Sequence, residues 1–497
     1  MPSGHRKAPF FYARLARTSA RIAMAKQPMK PDCDNASTNS ITQCLLLLAV
    51  ACSAFIGVVV ARTDLAAFAV LSAAPAIPLA FFVIAKAANG RANYGAFLSI
   101  VLICILTANL RHRSYTDKDI DLQVALRLVA IGSLLVIGTL SLGEIYRHAH
   151  KSGFLSWMLF FAYLVVTCGY ASSPIPALVS VASSLGAFLF ICLLCIRLGR
   201  DRAVGVVVAA AATLIVGSLV AYLAIPSLGR MSDWVGGNFV ETWRLQGLFG
   251  SSNGAGMSAA AALFLAAAFH SRTGRRSRTI AAVISILALA CLVLSNNRMA
   301  MASLAVSTAT LFVTRRRFAT RAVLVAAIGL LAASALALFA DQILTSISRS
   351  GNAEEIMSAT GRTRIWLVVI ELWRQSPAFG YGFGSALYIL PTHPDLFLAA
   401  AHAHSLYLEL LFSGGIVGLG LFVSSIAITV VAGYRAKASR ELALLMFFLV
   451  YGLTEPVIFG PVSFPLMIMF LSIGLILTRF SAPSAAVSGC RLVSPLA

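Results

Sequence analysis

His404 and Ser405 are followed by nine residues and then by Gly415-Ile416-Val417-Gly418, where a long polar segment re-enters an apolar run. A neutral imidazole, with an ordinary pKa of about 6.5, can take the proton of an attacking hydroxyl at neutral pH. Upstream stands Gly361-Arg362-Thr363-Arg364-Ile365-Trp366, and further back Arg298 ends the run Leu294-Ser295-Asn296-Asn297-Arg298. Guanidinium forks match phosphate oxygens in geometry and charge. Arg244 adds a further arginine, in a glycine-rich segment where backbone can approach a ligand closely. Tyr407 and Glu409 are near enough in sequence to His404 to orient its ring. Together these residue types suit activation of a hydroxyl beside a bound diphosphate.

The elements that must position them are membrane helices. Hydrophobic residues form 59% of the 497-residue chain and charged ones only 11%. A soluble chain would carry roughly 25% charge. At about 20 apolar residues per span, the sequence reads as fourteen spans. Their cores are 41–61, 65–85, 94–110, 122–142, 154–170, 175–196, 203–225, 254–270, 279–295, 300–313, 321–340, 406–433, 441–459 and 464–478. Residues 1–40 read as a basic cytoplasmic tail and 481–497 as a second tail, around a membrane domain over 41–480. Two outer segments are long enough to build a site, 226–253 and 341–405. Within the second, Ile365, Val368, Val369 and Leu372 share one helical face. Thr360 could cap that helix and Pro377 end it, which predicts an amphipathic surface helix over 362–375.

The net charge of +21 invites a nucleic-acid reading. Its distribution excludes one. With the N-terminus in the cytoplasm, 27 Lys and Arg fall on the inner side and 11 on the outer, with Arg127 inside the fourth span. That is the positive-inside bias of a membrane protein. Arg127 could pair with Asp121 near the outer surface or line a cavity between helices. The nine cysteines are scattered through apolar runs, and Cys192 and Cys195 read as packing on one helix face.

Two look-alikes carry less. Gly380-Tyr381-Gly382-Phe383-Gly384 lacks the spacing and setting of a dinucleotide loop and reads as a flexible turn after Pro377. His393, His402 and His404 suggest zinc, but 402 and 404 would diverge on a helix and the sequence offers no obvious acidic partner.

These motifs resemble the O-antigen ligase and O-antigen polymerase superfamily of bacterial envelope glycosyltransferases. The resemblance is strongest over about 290–430, with a weaker match through Arg244, Gly247, Phe249 and Asn253. It implies an all-α polytopic membrane protein of about 12–14 transmembrane helices, with type-C glycosyltransferase-like architecture and one long periplasmic loop. It implies transfer of a glycan from undecaprenyl diphosphate to an acceptor saccharide at the periplasmic face of the bacterial inner membrane. The acceptor would be lipid A–core for a ligase, or a lipid-linked repeat unit for a polymerase of surface polysaccharide or exopolysaccharide. The reaction would be inverting, with no cofactor and no metal, and both termini would be cytoplasmic. By the same resemblance, His404, Arg362 and Arg298 are the catalytic residues. Arg244, Arg364, Asn253 and Trp366 are expected to bind substrate. The alternatives are a transporter or flippase of lipid-linked sugars and a protein O-oligosaccharyltransferase.

Overall fold

A computed structural model describes residues 91–110, 121–235, 238–270, 275–314, 320, 362–396, 401–458, 460 and 462–479. The expected spans over 41–61, 65–85 and 321–340, both tails and the Thr360 cap lie outside those residues. The chain is an all-α polytopic membrane protein. Apolar surroundings cannot satisfy backbone N–H and C=O groups, so the spanning runs close their hydrogen bonds within each helix.

The helices are α1 (Arg91–Thr107), α2 (Leu122–Leu140), α3 (Leu142–Ala149), α4 (Phe154–Cys168), α5 (Pro174–Leu198) and α6 (Arg200–Ala224). A two-stranded antiparallel hairpin follows, β1 (Arg230–Val235) and β2 (Asn238–Leu245). Then come α7 (Ser252–Leu265), α8 (Arg275–Ser295), α9 (Arg298–Thr314), α10 (Arg362–Gln375), α11 (Leu406–Arg435), α12 (Ser439–Tyr451) and α13 (Phe464–Leu477). Among the described residues, six helices are long and apolar enough to cross a membrane. A seventh span results if α3 with its 3-10 extension and α4, bent by 115°, are counted as one. The helices α9 and α13 are apolar but shorter than a full span.

The core is aromatic where α4, α5, α11 and α13 meet. Trp157 of α4 meets Phe422 of α11 edge-on and Phe160 meets it tilted, and Phe188 of α5 meets Phe161 and Phe470. The Trp157 Nε1 donates to Thr429 Oγ1 at 2.9 Å, so the indole carries a polar handle into this apolar contact. Elsewhere glycine sets the helix spacing: a Cβ at Gly138 of α2 would lie 2.7 Å from the Leu189 Cβ of α5. Small residues of this kind let membrane helices pack closely. Cys192 and Cys195 are buried in α5, in keeping with the packing reading.

Helix termini gather at one end of the bundle. The starts of α7, α9 and α10 and the end of α12 are joined there by contacts between Asn253, Asn297, Arg362, Tyr451 and Glu455, and the start of α11 by Leu406 N donating to Gly452 O. The hairpin packs at the same end, where the Tyr222 hydroxyl donates to Trp243 O at 2.9 Å.

The helix α11 is broken inside its length. Gly415 has φ 61 and ψ −164, outside helical space. The segment after α10 fills the break: Tyr381 N donates to Phe412 O at 2.8 Å, Gly382 N to Ser413 O at 2.9 Å, and Ile416 N to Pro377 O at 2.9 Å. The Tyr163 hydroxyl takes up the remaining Gly414 carbonyl at 2.6 Å. A Cβ at Gly415 would meet Ala378 O at 2.2 Å, and one at Gly380 would meet Phe412 O at 2.3 Å. The glycine-rich run expected as a flexible turn is therefore a strap held against the broken helix by its own backbone.

Candidate active site

The helix over 362–375 forms as the apolar spacing predicts, with Val368 and Val369 buried and the chain turning off before Pro377. Arg362 is its first residue. Its Nη2 donates to Glu455 Oε1 at 2.8 Å and its Nη1 to Thr454 O at 2.5 Å. Arg364, one turn-step on, faces another way: its Nη2 is 4.0 Å from Asp395 Oδ1, with both side chains mostly exposed.

His404 lies in the turn that leads into α11, at φ 49. A non-glycine residue in left-handed backbone is strained, and such strain collects where surrounding contacts over-determine the chain. Here the contacts fall on Ala403. Glu409 Oε2 accepts from Ala403 N at 2.6 Å, and Trp366 Nε1 donates to Ala403 O at 3.0 Å. Ser405 then caps α11 by accepting from Leu408 N, as its residue type favours. The residue before the histidine is thus clamped through both its N–H and its carbonyl by Glu409 and Trp366.

Neither Tyr407 nor Glu409 touches the imidazole among the described residues. The Tyr407 hydroxyl donates to Leu449 O at 2.8 Å and ties α11 to α12, while Glu409 acts on the turn backbone. The group beside the ring is Glu455, whose Oε1 is 3.8 Å from His404 Nδ1. The Nδ1 is buried and makes no hydrogen bond, while the side chain as a whole keeps partial exposure. The ring of His402 packs at 4.0 Å between centroids.

Glu455 also accepts from Asn253 Nδ2 at 2.6 Å. Burial alone would raise its carboxyl pKa, but His404, Arg362 and His402 outweigh that and hold it below the usual value. Burial, with His404 adding, drives the His402 imidazole down to about 4. At neutral pH this leaves a carboxylate, a guanidinium and a neutral His402 in contact.

The remaining arginines approach from the other side of Asn253. Asn297 Nδ2 donates to Asn253 O at 2.9 Å and to the Tyr451 hydroxyl at 2.7 Å. Its Oδ1 accepts from Ala300 N at 3.0 Å and so caps α9. Asn296 takes the left-handed turn at φ 48, a conformation asparagine tolerates better than most. Arg298 follows as the first residue of α9, and Arg244 Nε donates to Ser295 O at 3.3 Å on the same turn. The turn and the arginine of α10 are therefore linked through one asparagine-carboxylate chain. The structure brings Arg362, His404 and Asn253 into direct connection, places Arg298 and Arg244 on the adjoining turn, and leaves Arg364 on the outer flank.

Glu455 and Asn297 were missed in the sequence. The run 441–459 reads as a span, yet α12 stops at Tyr451 and Glu455 belongs to the connection to α13. The signal was present: an acid followed by Pro456, three residues after Gly452, marks a helix end, and an acid in an apolar run is a functional candidate. The metal argument also changes in detail. His402 and His404 are not on a helix, and with Glu455 they put ligand-type atoms within 4.8 Å of one another. Against a cation stands Arg362, whose guanidinium already pairs with the only acid of the group.

Comparison with curated proteins returns no match. A family model described as O-antigen ligase matches residues 283–423, which hold Arg298, Arg362, His404 and the Gly415-Gly418 pair. Arg244, Asn253 and Glu455 fall outside it and join it only in three dimensions. Through that stretch and the motifs within it, the chain is similar to the O-antigen ligase and O-antigen polymerase superfamily.

Proposed function

We propose that this membrane glycosyltransferase moves a glycan from undecaprenyl diphosphate to an acceptor saccharide at the periplasmic face, by an inverting, metal-independent displacement. The observation that carries the reading is the Glu455 carboxylate, held by Arg362 and Asn253 and facing the buried Nδ1 of His404. A carboxylate on one ring nitrogen favours the tautomer whose other nitrogen accepts a proton, and stabilises the imidazolium that results. Nε2, the nitrogen away from the Glu455 contact, is then the base. The acceptor oxygen attacks the anomeric carbon as its proton passes to Nε2. The bond from that carbon to the diphosphate oxygen breaks, and its electron pair leaves with undecaprenyl diphosphate.

Arg362 and Arg298 serve the leaving group. Guanidinium donors placed where negative charge develops stabilise the transition state. Arg362 has five N–H donors, so it can keep Glu455 while meeting phosphate oxygens. The helix starts that converge here add partial positive charge. Arg244 steadies the turn that carries Arg298, and Trp366 and Glu409 set the His404 backbone.

Reconstitution of the full chain with an undecaprenyl diphosphate glycan and native membrane acceptors tests this. Product should form in the presence of a chelator, with undecaprenyl diphosphate released in equal amount. A strict requirement for a divalent ion would overturn the arginine-only grip, and full activity in His404→Ala would remove the assigned base.

A further inference from the structure

A cavity of about 240 Å³ borders Glu455 at this end of the bundle. Its polar wall includes Asn109, Arg127, Glu455 and Ser463, and Phe249 and Phe464 supply apolar surface. Arg127 comes from α2, within an apolar span, and is set in place by donating to Ala108 O and, at 2.8 Å, to Asn109 Oδ1. Asn253, His402 and Tyr451 join Glu455 in the wall, so the cavity adjoins the candidate active site, while Asn109, Arg127 and Ser463 have no part in the chemistry described above.

We infer that this cavity is a saccharide subsite that receives the acceptor sugar. The inference rests on the proposed transfer reaction and assigns a place to its second substrate. The wall composition selects the ligand class. One cation, one anion and several neutral donors and acceptors suit a polyol, which presents both donors and acceptors at each hydroxyl. Ring faces of Phe249 and Phe464 suit the apolar C–H face of a pyranose. A diphosphate would meet the Glu455 carboxylate and a single arginine, a poorer match than the Arg362 and Arg298 side. The volume exceeds the roughly 30 Å³ share of one water several times over, so a sugar ring is accommodated. Glu455 then borders both substrates, through its contact with Arg362 and as a wall residue of the cavity.

Cysteine labelling tests it. Ser463→Cys places a thiol in the wall at a position that makes no side-chain cap bond, and Val457→Cys gives a second, independent reporter in the same wall. The full-length variants are labelled with a maleimide in nanodiscs, native thiol background subtracted, after their melting temperatures are matched to the parent. Glucose, galactose, mannose, N-acetylglucosamine and inorganic pyrophosphate serve as protectants. At least one of the sugars should slow labelling three-fold or more, while pyrophosphate has no effect. Protection by pyrophosphate alone, or by no compound, overturns the saccharide assignment. The outcome separates from that of the transfer reading: sugar protection together with full activity in His404→Ala would leave the subsite standing and remove the base.

Discussion

The turn that leads into α11, at His404, and the break in that helix, at Gly415, are eleven positions apart and are built on opposite plans. At the Gly415 break, backbone meets backbone, and each displaced carbonyl or amide finds a partner in the 377–382 strap or in Tyr163. At the start of the helix, charged side chains meet, and the His404 ring keeps a buried Nδ1 with no hydrogen bond. The first region commits its backbone groups to the strap and to Tyr163; the second leaves the imidazole of a functional side chain open. The difference teaches where rigidity and reactivity are placed in this chain. Close glycine contacts fix the path of the helix, which allows the imidazole and guanidinium at its mouth to stay incompletely satisfied.

The sharpest way to break that comparison is to damage the joint. Gly415→Ala puts a Cβ 2.2 Å from Ala378 O in left-handed backbone, a cost of about 3 kcal/mol. Melting temperature and glycan transfer should fall together; an unchanged melting temperature would show that the strap is dispensable. Next in size is His404→Asn, which keeps a residue able to adopt positive φ. It should lower the transfer rate by about 10² to 10⁴ with melting temperature retained, as read by product formation in proteoliposomes.

Glu455→Gln should have a smaller effect, about 10- to 100-fold on rate, because the amide keeps the contact shape and loses the charge. The pH profile should move as well, since the histidine loses its facing carboxylate; an unaltered profile would mean that Glu455 serves only to hold Arg362. The smallest effect concerns His402. Its folded-state pKa of about 4 lies below the ordinary 6.5, so the unfolded chain binds more protons between those values. Stability should therefore decline as pH falls from about 6.5 towards 4. His402→Gln should flatten that part of the melting curve against pH.

The sequence made the amphipathic helix over 362–375 legible, because four apolar residues at helical spacing and a following proline leave little else for the segment to do. The His404-Ser405 pair was legible for a similar reason: serine before an apolar run is a helix cap. The partner of the histidine was not. Tyr407 and Glu409 are closer in sequence, but residues on the first turn of α11 point at the backbone behind them or at α12. Glu455 reaches the ring from 51 positions away, through the meeting of two helix ends. Span counting also hid it, since hydropathy averages over the short connection where α12 has already stopped. The strap shows the same limit from the other side. Three glycines announce conformational freedom, and only the packing reveals its use: Gly380 passes close to Phe412 and Gly382 close to Ala171.

The short connection between α12 and α13 carries a mechanical consequence. It begins at Gly452, whose carbonyl accepts from Leu406 N at 2.7 Å next to the histidine turn. It bears the carboxylate in its middle and walls the saccharide cavity with its far half. A sugar seating against Phe464 pushes on the same stretch of chain that aligns the base, so arrival of one reactant adjusts the reception of the other. Order-of-addition kinetics would register this coupling as a preferred sequence of entry, and random entry would show that the connection yields without passing the push along.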